Sequence, residues 1–108
     1  MSIQNRKVRR YSVSVNPSTN GSNEVLPAAT GVRYKVYGFI IVSTLANSVK
    51  FMSAATDISA TWPLAATGGV VAPQGDAPWF STVKGEALNV NLSASTATGV
   101  HVVYEVEQ

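Results

Sequence analysis

Turn signals punctuate this 108-residue chain at short, regular intervals, and most segments between them alternate apolar with polar residues. Asn16-Pro17, Asn20-Gly21, Thr30-Gly31, the run from Leu45 to Ser48, Gly68-Gly69, Gly75-Asp76 and Gly85 are the clearest breaks. Few segments keep apolar residues at helical spacing for three turns, and β-branched and aromatic residues dominate between the breaks. The pattern predicts an all-β chain: an antiparallel β-sandwich, jelly-roll-like, of eight or nine short strands.

The segments can be read individually. Residues 8–15 place Arg9, Tyr11, Val13 and Val15 on one side and Val8, Arg10, Ser12 and Ser14 on the other. Leu88, Val90 and Leu92 face inward, with Asn89, Asn91 and Ser93 outward. Near the end, Val100, Val102, Tyr104 and Val106 share one face, and His101, Val103 and Glu105 the other. Pro27 and Pro63 confine their segments to sheet edges or strand ends. Residues 16–23 read as a polar loop, the piece of the chain with the least reason to be ordered.

One strand departs from alternation. In YKVYGFIIVS, residues 34–43, the first half alternates, with Tyr34, Val36 and Gly38 opposite Lys35 and Tyr37. The second half, Phe39-Ile40-Ile41-Val42, is apolar on both faces. A half-buried strand keeps alternating, so something must cover the second face. In a chain this small, a second copy of the same chain is the expected cover, and Phe39, Ile41 and Val103 are the expected contact residues. Composition agrees: 13% of residues are charged, against about 25% in ordinary soluble domains.

The length corresponds to one domain. Within it, residues 1–23 form a basic arm with the first strand and the polar loop, and residues 24–108 form the sandwich body. Arg6, Lys7, Arg9 and Arg10 are four of the eight basic residues, and residues 1–23 contain no acid. The arm is expected to contact an acidic protein surface; the plain alternative is a solvated first strand. Binding single-stranded nucleic acid would call for basic residues interleaved with aromatics. They are concentrated in one arm instead, so nucleic acid is not the expected partner. The start of the chain has no apolar run behind its basic residues, which argues against a signal peptide, and no stretch reaches the roughly 20 apolar residues of a membrane span. No membrane partner is expected. The absence of cysteine excludes disulfides and thiolate zinc sites and fits assembly in a reducing cytoplasm.

No catalytic signature emerges. The single histidine, His101, lies on an alternating strand, and no serine stands in a nucleophile-elbow context. Asp57 and Asp76 lie in turn contexts, where Asp bonds its own backbone. No loop holds two acids for calcium, and Gly68-Gly69 lacks the lysine and helix of a phosphate loop. Neither enzyme activity nor a cofactor is expected. Trp62 and Trp79 could present stacking platforms to sugars, although each adjoins a proline, and packing a loop onto the core is the reading preferred for both.

The segments VYGFIIVSTLANSVKFMSAATDIS, PLAATGGVVAP, PWFSTVKGEALNVNLSAS and TGVHVVYEV together resemble small bacteriophage virion proteins of the head decoration or cement type. The resemblance covers residues 32–106 and rests on turns and apolar positions. It implies a β-sandwich or jelly-roll module, a homotrimer, and a place on the head surface of a virion assembled in the host cytoplasm. The major capsid protein would be its partner, with Arg6, Lys7, Arg9 and Arg10 as the contact arm. Related modules occur in tails and fibres, which implies an alternative: a receptor-binding module that contacts bacterial surface carbohydrate through Trp62 and Trp79.

Overall fold

The computed structural model describes residues 9–108. Among the described residues, ten strands run in chain order: β1 (Tyr11–Val15), β2 (Gly21–Leu26), β3 (Arg33–Ser43), β4 (Asn47–Ser53), β5 (Thr56–Asp57), β6 (Trp62–Leu64), β7 (Gly69–Ala72), β8 (Phe80–Ser81), β9 (Leu88–Leu92) and β10 (Thr98–Glu107). They form two five-stranded antiparallel sheets. In the first, the order is β1-β10-β3-β7, with β8 also paired to β3. In the second it is β2-β9-β4-β5, with β6 also paired to β4.

This order is the jelly roll that the turn spacing predicts. The first strand pairs with the last and the second with the last but one, and the sheets alternate as the chain runs inward. The short bridges β5 and β6 share one edge of β4, and β7 and β8 share one edge of β3, so ten strands fill eight positions. The polar loop is shorter than its composition implies. β2 begins at Gly21, opposite Leu92, and the Asn23 side chain closes the turn by donating to the carbonyls of Thr19 and Gly21.

The core lies between the sheets. Val36, Ile41, Val49, Phe51, Leu88, Val90 and Val102 are fully enclosed. Aromatic rings fill one end, where Phe39, Phe51, Trp62 and Phe80 stack with centroids 5.1–6.3 Å apart. At the other end, buried Asn47 fastens the turn between β9 and β10. Its Oδ1 accepts from the backbone N–H of Ser93 and of Ala94 and from the Ser93 hydroxyl, while its Nδ2 donates to Thr98 Oγ1.

A bulge in β3 explains the strand that breaks alternation. Val103 pairs with Gly38 and Tyr104 with Val36, which leaves Tyr37 as the extra residue. Before the bulge the even positions face inward, Tyr34 and Val36. After it the odd positions do, Phe39, Ile41 and Ser43. Phe39 and Ile41 are therefore core residues, 4% and 0% exposed. This corrects their expected place at a contact between copies: the residues left outside are Ile40 and Val42, 45% and 48% exposed.

Candidate functional site

The two outer faces of the sandwich differ in chemistry. On the second sheet, one row across the strands reads Ser22, Asn91, Lys50, and the next Glu24, Asn89, Met52, Asp57. That face is polar and suits water. On the first sheet, the central row reads Ser14, His101, Ile40, Val71, and the adjacent row Gly99, Val42, Gly69. Val71 is 65% exposed. This face therefore projects three aliphatic side chains on β3 and β7. Val103, one of the expected contact residues, lies on the same face and is half-buried, opposite Gly38.

Beside these projections lies a shallow hollow of about 470 Å³, bordered by Ser14, Asn16, Ile40, Val42 and His101, with Gly99 among its lining residues. The Ser14 hydroxyl is 2.7 Å from His101 Nδ1 at its rim. The lone histidine thus sits beside the hollow, next to Ile40 in register.

At the far end of this sheet the surface becomes charged. Arg10 Nε donates to Glu105 at 3.0 Å, Arg10 Nη1 donates to Gln74, and the guanidinium lies 4.1 Å from the Tyr37 ring centroid. Burial pushes the Tyr37 hydroxyl above its usual range, and the neighbouring Glu105 carboxylate adds to the rise. Glu107 accepts from Lys35 and Arg33, and the Lys35 hydrogen bond holds its carboxyl below the usual range. Of the expected contact arm, Arg6 and Lys7 lie outside the described residues. Arg9 is exposed, and Arg10 is engaged with the body of its own chain.

Trp62 and Trp79, far apart in sequence, meet at the seam between the sheets. They line an open cleft of about 490 Å³ together with Phe39, Phe80, Asp57 and Ser59. β6 brings Trp62 from the second sheet, and the approach to β8 brings Trp79 from the first. Trp62 packs on Phe39, whereas Trp79 is 54% exposed. Trp79 is held at two points: its backbone N–H donates to the Val36 carbonyl and its indole N–H to the Pro73 carbonyl. Among the described residues, no group of three His, Asp or Glu side chains gathers as metal ligands would, and no helix is long and apolar enough to cross a membrane.

No protein-family model matches the chain, and no curated protein matches it significantly. Solved structures with similar backbones include PirA, at 12% identity and a TM-score of 0.43, covering 96% of this chain and 99% of that one. Another is the virus-like particle of the extra small virus of the giant freshwater prawn Macrobrachium rosenbergii, at 11% identity and 0.45, covering 100% and 86%. A third is the C-terminal domain of EclA, described as a sugar-binding protein, at 15% identity and 0.42, covering 99% and 83%. At these scores the likeness transfers no role.

Proposed function

We propose that the protein is a non-enzymatic structural module of a bacteriophage virion, a decoration or cement protein that sits on the assembled head as a homotrimer. The observation that carries this reading is the contrast between the two outer faces. Ile40, Val42 and Val71 project from the first sheet beside a hollow on the same surface, while the opposite sheet is clad in Asn, Ser and Lys. Projection and hollow on one face allow identical copies to fit one another, and burying that face removes three large aliphatic side chains from water. The sequence resemblance supports the place in a particle.

In this reading Arg6, Lys7 and Arg9 supply the basic contact with the major capsid protein, and three arms on one trimer add avidity. Binding only the assembled shell stabilises it over its dissociated subunits. Co-sedimentation with assembled heads is the test. The protein is expected to pellet with heads, less so in high salt or after deletion of residues 1–8, because the contact is between charges. Failure to pellet at low salt would overturn the reading.

One observation favours a second reading, a tail-fibre or receptor-binding module that contacts bacterial surface carbohydrate: Trp62 and Trp79 share one cleft. Binding to host cells without binding to heads would favour it.

A further inference from the structure

The seam cleft has a chemistry that selects its ligand. Its walls are aromatic, and its most exposed wall, Trp79, is fixed by hydrogen bonds at both its backbone and its indole N–H. A ring already held in place loses little freedom when something stacks on it. Two of the donors that could serve a ligand are spent, while the Trp62 indole N–H makes no hydrogen bond among the described residues. The Trp79 indole N–H goes to Pro73, and the Ser59 hydroxyl donates to the Ala60 carbonyl while accepting from the Phe51 N–H. The cleft also offers acceptor capacity on the Asp57 carboxylate, which Lys50 anchors at 3.0–3.1 Å through both oxygens.

We infer that this cleft binds a neutral, hydroxyl-rich saccharide, with the C–H face of a pyranose against Trp79 and ring hydroxyls donating to Asp57. The electron-rich face of an indole attracts the weakly positive C–H groups of a sugar ring. A few polar groups at the edge of an apolar cleft are what orient a small ligand. Lys50 offsets part of the carboxylate's charge but does not line the cleft, so Asp57 still disfavours uronic and sialic acids to a modest degree. A proline-rich peptide, the other ligand that aromatic grooves take, presents carbonyl acceptors and needs donors; the Trp79 indole N–H is already given to Pro73, which leaves the single Trp62 N–H for a whole run of carbonyls. The inference deepens the second reading by naming a ligand class, and it uses the cleft alone, not the position in a particle.

The chain holds two tryptophans and both line the cleft, so its intrinsic fluorescence reports occupancy directly. Full-length protein would be titrated with neutral oligosaccharides of glucose, galactose, rhamnose and N-acetylglucosamine, with oligogalacturonate and sialyllactose, and with a proline-rich peptide. At least one neutral saccharide is expected to give a saturable change. Calorimetry should then show binding weakened at least tenfold in Trp79→Ala and several-fold in Asp57→Asn, with unchanged circular dichroism. Acidic saccharides should bind more weakly than neutral ones to the wild type and lose that disadvantage in Asp57→Asn. Saturation by no saccharide, saturation by the peptide alone, or binding unaltered in both variants would overturn the inference. Adsorption to host cells is scored separately: saccharide binding in solution without adsorption removes the tail-fibre reading and leaves the cleft's ligand class standing.

Discussion

Ile40 on β3 stands directly opposite Val71 on β7, and both side chains point away from the core into solvent. Cross-strand aliphatic pairs normally stabilise a sheet from its buried side. This one lies outside, in line with His101 and Ser14, on the face that carries the hollow.

Replacing either member of the pair with a charge should separate the copies and leave each folded. Ile40→Asp or Val71→Asp places a carboxylate in a face that must be desolvated on association. Neither residue contributes much to the core, so the unfolding free energy of the separated chain should fall by about 1–2 kcal/mol, from the lost cross-strand pair and the poor strand propensity of Asp, and leave the chain folded. Light scattering reads the mass and urea denaturation the stability.

Filling the hollow should do the same by shape alone. A Cβ on Gly99 meets only Asn16 Oδ1, at 3.8 Å, an ordinary contact. Gly99→Leu is therefore expected to fold, project into the hollow and block a partner copy. Gly99→Ala should have a much smaller effect on association.

Gly69 is fixed for a different reason. A Cβ there would collide with the backbone carbonyl of Ile41, on the neighbouring strand. Gly69→Ala should destabilise the fold by about 1–3 kcal/mol, the usual cost of overpacking against atoms that cannot turn aside. A lower urea midpoint at unchanged slope is the expected signature.

Asn47→Ala should cost roughly 1–3 kcal/mol, because it strands the Ala94 N–H that the amide oxygen satisfies, while the Ser93 N–H keeps the Ser48 carbonyl. The damage should be local. Amide exchange is expected to rise first in residues 93–98, between β9 and β10.

Alkaline pH should weaken the fold through two tyrosines. Burial raises the hydroxyl pKa of Tyr37, helped by Glu105, and that of Tyr104, helped by Tyr34 and Tyr11. The unfolded chain releases these protons near pH 10, and the folded chain holds them to higher pH. Their contribution is thus intact below about pH 10 and fades as pH rises through the folded values. Urea unfolding from pH 8 to 11 should show the decline, and Tyr37→Phe should make it shallower.

Much of the fold is legible because period two survives in the strands that matter most. Leu88, Val90 and Leu92 face inward as their spacing predicts, as do Val100 and Val102. The face of β3 is not legible from alternation, because the bulge at Tyr37 adds one residue and exchanges the inside and outside positions beyond it. That single residue moves the candidate contact from Phe39 and Ile41 to Ile40 and Val42. Arg10 looks like a free arm charge in sequence. Its partners Glu105, Gln74 and Tyr37 lie on other segments, and only sheet pairing brings them together. Trp62 and Trp79 stand out individually, but their meeting depends on β6 and β8 closing one end of two different sheets.

Sedimentation equilibrium on the full-length protein, alongside Ile40→Asp, tests most directly whether the outer face of the first sheet joins copies of the chain. The expected result is three times the 11.4 kDa chain mass for the wild type and a single chain mass for the variant. A wild type that stays at 11.4 kDa at high concentration, or a variant that assembles as the wild type does, would contradict it.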